Sequence, residues 1–312
     1  MLKTRHVLLA KAEVTYNTDP TPTAGSNAIL VENLAYSYAG ARTADRSGAV
    51  KPGLVPLKNL YAGSLLEVTF DVEIKGSGSA GTAPAFGPLL LACGMKETVV
   101  AATSVQYNPA SDPADHGSVT IWLYEDGIRY KVTGCRGSFT ISMQTAQVGK
   151  ISFRMVGHLS SRADATLVTP TLSSVIPPVL VGVPFEIDSY QAVITKFELD
   201  PGITVATPDN IASSDGYGDV RITGHAPTFT IDPEATVLAT YDWVTKWQAN
   251  TASFFVVGTV GSTAGNRYSI GGAGAVYSEV GNGDRDGIIT REIKGQLTDS
   301  GGTDNAWAIT FT

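Results

Sequence analysis

The sequence predicts an all-β protein with a minor helical component, and three observations carry that reading. Apolar and polar residues alternate with period two over long stretches, which is the side-chain period of a half-buried strand. Glycine and proline are frequent, 33 and 16 of 312 residues, and supply the turns that many short strands need. Charged residues make up 16% against 43% hydrophobic, a balance that suits strands packed on a core and on neighbouring subunits.

Taken in order, Leu8 to Tyr16 reads as a first strand, followed by the turn-rich TDPTPTAGSN. Residues 33–63 carry no clear period. With Arg42, Asp45, Arg46 and Lys51 set among glycines and prolines, they read as a long loop and a candidate contact arm, with Tyr36, Tyr38 and Leu54 as anchors. Val68, Phe70, Val72 and Ile74 then alternate with Glu67, Thr69, Asp71, Glu73 and Lys75, a strand with one core face and one acidic face. GSGSAGTAP ends it, and Phe86, Leu89, Leu90 and Cys93 recur at helical spacing before Gly94. From Gly117 to Gly157 the pattern predicts a four-stranded antiparallel meander. Val119 to Tyr124 and Ile128 to Thr133 are joined at Asp126-Gly127, a dipeptide suited to a tight turn, and Phe139 to Met143 and Ile151 to Met155 follow.

Residues 166–184 hold four prolines and no charge and read as an extended linker. The length favours two domains, placed at 1–165 and 185–312. In the second, Phe229 and Ile231 mark a strand, Tyr241 to Ala249 a helix burying Trp243, Val244 and Trp247, and four strands follow between Phe254 and Phe311. The order strand, helix, meander thus recurs, as an internal duplication predicts and as two β-rich halves also produce by chance. Charge separates the halves: 15 Lys+Arg against 13 Asp+Glu up to Ala165, and 7 against 16 beyond it. Such a balance does not suit a general nucleic-acid binder, which needs clustered cations.

Catalytic and metal chemistry finds no footing. His6, His116, His158 and His225 stand singly, without zinc spacing, and Cys93 and Cys135 read as free, partly buried thiols. The run Asn282 to Gly287 lacks the terminal Glu of a calcium loop, Ile293 standing in its place, and reads as a strand-entry turn. GTVGSTAGNR has no Lys-Ser/Thr, no G-x-S-x-G occurs, and no catalytic residue, metal or cofactor is expected. No apolar run approaches a membrane span or a signal-peptide core, so synthesis in the cytoplasm is expected. A β-sandwich module binding a receptor or carbohydrate, with Trp122 or Trp243 as a stacking platform, is the competing reading.

The segments LKTRHVLLAKAEVTYNTDPTPTAGSNAILVEN, VTFDVEIKGSGSAGTAPAFGPLLLACGMKETV, SVTIWLYEDGIRYKVTGCRGSFTISMQTAQVGKISFRMVG, TAGNRYSI and DRDGI together resemble the major tail tube proteins of long-tailed, non-contractile bacteriophages. The resemblance is looser between Val183 and Gln248. It implies a β-sandwich or open barrel flanked by a helix, in a non-enzymatic subunit whose sixfold or pseudo-sixfold rings stack into a hollow tube for genome DNA. It also implies a virion tail assembled in the host cytoplasm, with a tape-measure protein and tail terminator and distal tail proteins as partners. Related tubes occur in tail-like bacteriocins and gene transfer agents. A wall past which DNA slides should not be basic. That makes Glu67, Asp71, Glu73, Glu198, Asp200, Asp232 and Glu234 candidate lumen residues, with the outer solvated surface as the alternative. If each half is one tube domain, three chains make a ring; a single tube domain with a C-terminal decoration would need six.

Overall fold

The computed structural model describes residues 5–299, 301–302 and 304–312; the basic start at Lys3 lies outside them. The first half contains β1 (His6–Ala12), β2 (Ala28–Ile29), β3 (Glu32–Ala39), a ribbon of β4 (Thr43–Ala44) and β5 (Leu60–Tyr61), and β6 (Leu65–Glu73). Helix α1 (Gly87–Ala92), the hairpin β7 (Met95–Val100) and β8 (Ser104–Pro109), and β9 (Val119–Glu125), β10 (Ile128–Gln144) and β11 (Lys150–Asp164) complete it. The second half runs through β12 (Phe185–Ile187), β13 (Tyr190–Ala192), β14 (Lys196–Asp200), a ribbon of β15 (Thr204–Ala206) and β16 (Arg221–Gly224), and β17 (Thr228–Ile231). It ends with α2 (Trp243–Gln248), β18 (Ser253–Val260), β19 (Tyr268–Arg285), β20 (Ile288–Leu297) and β21 (Ala308–Phe311). The protein is nearly all β, with helix in two short pieces among the described residues.

All pairings between these strands are antiparallel. In the first half the lateral order is β2-β1-β9-β10-β11-β6-β3. In the second it is β13-β12-β18-β19-β20-β17-β14. The two orders correspond strand for strand in chain sequence. A two-stranded ribbon interrupts β3 to β6 and again β14 to β17, and a helix follows β6 and again β17. The β7–β8 hairpin and β21 have no counterparts. They pair with each other, and β21 also pairs with β19, so these unmatched elements bridge the halves. A second bridge is β14 on the end of β10, from Ile141↔Leu199 to Gln144↔Lys196.

Alternation along β6 buries Val68, Phe70 and Val72 and turns Glu67, Asp71 and Glu73 outward, as the sequence predicts. Phe70 stacks on Phe153, Phe153 meets Phe139, and Phe139 meets Trp307. In the second half Phe185, Phe197, Phe255 and Phe229 form an equivalent aromatic row. One contiguous core includes residues of both halves. Each such ring contributes about 1.5–3 kcal/mol through burial.

Several expectations are corrected. The meander has three strands, because residues 128–144 form one strand of 17 residues with irregular register near Val132 to Arg136. Gly134, at positive φ, makes a bulge there instead of a reversal. A Cβ on Gly137 would press on the Arg154 carbonyl, so this glycine permits close strand approach. Residues 32–39 are a strand and not loop, leaving residues 40–64 as the excursion. In α2 only Trp243 is buried; Val244 and Trp247 are partly exposed. The segment 166–184 is extended but tethered, through Thr171 to Ala24 and through Leu180 to Ala146 and Gln147. Cys93 and Cys135 are free thiols, fully buried, and burial pushes both pKa values up.

Candidate functional site

Because β14 continues the sheet from β10, the side chains pointing away from the core form one surface across both halves. Cross-strand neighbours run along it in a single row: Glu73, Lys150, Ser142, Glu198, Thr230, Lys294 and Glu279. In β10 the outward residues are Ser138, Thr140, Ser142 and Gln144, so the middle of the surface is neutral and polar. Alternation places Glu67, Asp71, Glu73, Glu198, Asp200 and Asp232 on this side, with Glu234 just past the end of β17.

The surface is acidic but not bare. Arg154 reaches Glu67 at 2.6 Å, Lys150 reaches Glu32 at 2.6 Å and Lys294 reaches Glu279 at 2.9 Å. Lys75 lies 3.6 Å from Glu73, and Asn33 donates to Asp71 at 2.7 Å. The carboxylate partners raise the pKa of Lys150, Arg154 and Lys294, so the cations stay charged and already neutralised. Such exposed pairs add only about 0–1 kcal/mol each to stability. Their larger effect is that these three cations offer little free positive charge to a polyanion.

Asp200, Asp232 and Glu234 also have local work. Asp200 accepts from the Gly202 amide in a turn. Asp232 accepts from the Thr195 and Lys196 amides and from Thr195 Oγ1, and Arg285 spans Asp232 and Glu234. The Arg285 pairs hold the hairpin of β19 and β20 against the end of β17, and the Asp232 bonds tie that end to the start of β14. Its turn lies at Asp286 and Gly287, with positive φ, so of the run Asn282 to Gly287 the first four residues extend β19 and only the last two form the expected turn.

The arm residues divide into a root and a tip. Tyr36 lies in β3, its hydroxyl bonded to Glu125 and Tyr130 and its ring against Tyr130, while Tyr38 is about half exposed. Arg42 stacks on the Tyr217 ring, donates to the Tyr217 hydroxyl and pairs with Asp209, which clasps the arm's root to the second ribbon. Asp45 caps a local turn at Ser47, Arg46 donates its amide to Asn59, and Lys51 is partly covered. Beyond them Val50 is 104% exposed and Leu54 103%, with Val55 and Tyr61 also largely open to solvent.

Neither tryptophan offers an open platform. Trp243 is buried among Tyr190, Tyr241 and Tyr277. Trp122 carries Lys131 and Arg129 against its ring and donates to Asp19. Among the described residues no three His, Cys, Asp or Glu side chains are grouped as a metal site, and no helix is long and apolar enough to cross a membrane.

Three carboxylates that the sequence did not single out organise the scaffold around this surface. Glu13 accepts from the Asn17 and Gly134 amides and from the Ser118 and Thr120 hydroxyls, at 2.6–2.7 Å, tying the β1 exit to β9 and to the β10 bulge. Glu13→Ala is expected to lower stability by about 1–3 kcal/mol, since buried donors lose their acceptor; a denaturant midpoint unchanged from the parent would contradict this. Asp215 receives His158 and Ser213 at 2.6 and 2.5 Å and holds the second ribbon to β11.

Asp188 receives Lys246, Ser253 and Tyr241, fastening α2 to the sheet. Burial raises its pKa, but the bonds from Lys246 and Ser253 and the nearby ammonium outweigh burial, leaving it below the ordinary 3.8. A carboxylate so depressed contributes its stability above its unfolded pKa and loses it as pH falls through the folded value. Stability should therefore decline as pH drops below about 4. Asp188→Asn should show a shallower decline when denaturant midpoints are followed from pH 5 to pH 2; an identical decline would contradict the assignment.

Comparison with curated proteins finds no match. The family model described as phage tail tube protein matches residues 4–297, nearly the whole chain. With an all-β fold, a polar sheet surface spanning both halves and an exposed apolar arm, the chain belongs to the phage tail tube protein family and is a structural component of the virion tail.

Proposed function

We propose that this chain forms rings of three copies, that each half fills one of six similar positions, and that the rings stack into a hollow tube through which double-stranded DNA passes. The observation that carries the reading is the identical lateral order of seven strands in the two halves, with ribbon and helix at the same points. In this reading residues 1–165 and 185–312 are the two tube domains and 166–184 connects them. The outward sheet surface with Glu67, Asp71, Glu73, Glu198, Asp200 and Asp232 is the lumen wall, and Glu234 lies at its margin. Duplex DNA carries one negative charge per about 1.7 Å, so a wall of serines, threonines and carboxylates, with its cations paired apart from Lys196 on β14, offers little positive charge to hold it. The chain would assemble in the host cytoplasm, around a tape-measure protein and against terminator and distal tail proteins, without enzymatic activity of its own.

Symmetry of electron-microscope images of assembled tubes tests the stoichiometry. Three chains per ring, with six similar lobes, is the expected result. Six equivalent chains with a projecting domain would overturn it, and carboxylates of the named set found mostly outside the tube would overturn the lumen assignment.

A further inference from the structure

We infer that a cleft between Phe254 and Gln106, on the face of the sandwich opposite the polar surface, binds an uncharged oligosaccharide. The site is complete within one chain, so it does not depend on how many copies make a ring.

Trp307, just ahead of β21, and Ile309 and Phe311 within it enter the core, while Ala308 and Thr310 face away from it. Inside the core Trp307 meets Phe139, and β10 turns Ser138 and Thr140 to the polar surface on its other side. The outward faces of β21 and its neighbours therefore look the opposite way from that surface. There β18, β19, β21 and β8 lie side by side, and a cleft of 380 Å³ crosses them. Sites for small organic ligands occupy about 300–1,000 Å³.

The floor of the cleft is bare, made by Gly271 and Gly272 of β19 and Ala308 of β21. Its two walls differ in chemistry. On β18, Phe254 is 53% exposed, a large apolar ring left open to solvent. On β8, three strand spacings or about 14 Å away, alternation turns Gln106 and Asn108 outward while Val105 and Tyr107 are buried. Beside them Asn108 Nδ2 donates to the Asp304 carbonyl at 3.2 Å, and the Asp304 carboxylate accepts from the Ser111 amide at 2.9 Å and from the Ser111 hydroxyl. These bonds fix both groups yet leave Asn108 Oδ1 and lone pairs of the carboxylate open. The Gln106 amide has no partner among the described residues.

A sugar presents faces of C–H groups, which stack on aromatic rings, and a rim of hydroxyls, each both donor and acceptor. Phe254 suits the faces; Gln106, Asn108 and Asp304 suit the rim. The separation of the walls exceeds one sugar ring, so the ligand is a chain of them. Asp304 brings a carboxylate and no Lys or Arg lines the cleft, which disfavours acidic sugars. The β7–β8 hairpin and β21, which have no counterparts in the other half, thereby gain a role: they supply one wall and part of the floor.

Calorimetric titration of the intact chain with short uncharged chains of hexose, N-acetylhexosamine and deoxyhexose tests the site. Saturable binding to at least one of them is expected. Phe254→Ala should weaken it about three- to tenfold, as loss of one aromatic contact does, and Gln106→Ala about fivefold, as loss of one hydrogen bond does. Both side chains are exposed, so both variants should melt as the parent does. Tyr61→Ala, which removes an exposed ring from the arm, should leave binding unchanged. Absence of saturable binding by the parent would overturn the proposal. So would binding that survives both substitutions in the cleft, or binding confined to acidic oligosaccharides.

Discussion

A chain lacking residues 46–58 is expected to fold as the parent does and to form no long tubes. The deletion spares Arg42, whose contacts with Tyr217 and Asp209 anchor the arm's root, and it spares both strands of the β4–β5 ribbon. It removes Val50 and Leu54, which are fully exposed, and Val55, which is largely so, and side chains open to solvent contribute little to stability. Exposed apolar side chains grouped at the end of a protruding segment are a contact surface awaiting a partner. A deletion beginning at Ala39 would remove Gly40 and Arg42 and confound loss of assembly with loss of the clasp. Thermal melting should be unchanged and microscopy should show short or no tubes; tubes of normal length would rule out the arm as a contact element.

Trp307→Ala is expected to lower stability by about 3–5 kcal/mol, the range for emptying a buried large aromatic site. Trp307 is 1% exposed and packs against Phe139, which belongs to the first-half core, while the strand that follows it, β21, pairs with β8 on one side and β19 on the other. The cavity would open at the junction of the halves. Chemical denaturation should show the loss, and calorimetry is expected to give one transition for the parent, whose core spans both halves, and two for the variant. A change below about 1 kcal/mol would mean that the core closes around the gap, as well-collapsing sites do.

The sequence displayed β6, α1 and the hairpin at Asp126-Gly127 because each has a strong local period and a local punctuation. It concealed β3, although Leu34, Tyr36 and Tyr38 alternate with Ala35 and Ser37, since the glycine- and proline-rich stretch after Gly40 masked an eight-residue period. Strands of two to five residues such as β2, β12, β13 and β15 carry no measurable period; pairing partners far along the chain define them. Gly134 and Gly137 suggested a break in the meander because glycine serves bulges, close approaches and turns alike. The acids of the outward surface were legible on β6. Their partners were not: Arg154 lies 87 residues from Glu67 and Lys150 118 from Glu32, so only the fold brings cation and carboxylate together.

The length of β10 has a mechanical consequence. At about 3.3 Å per residue its 17 residues extend roughly 55 Å. It is bonded to β9 and β14 along one edge and to β11 along the other. Force applied along this strand loads all those hydrogen bonds at once, in shear, while force across it peels them one pair at a time. A chain pulled end to end through β10 should resist as a unit and then fail abruptly, at a rate set by unfolding kinetics and not by equilibrium stability. A bending load should be taken up instead at the short β12, β13 and β15 pairings, which can open and re-form without disturbing the long strand.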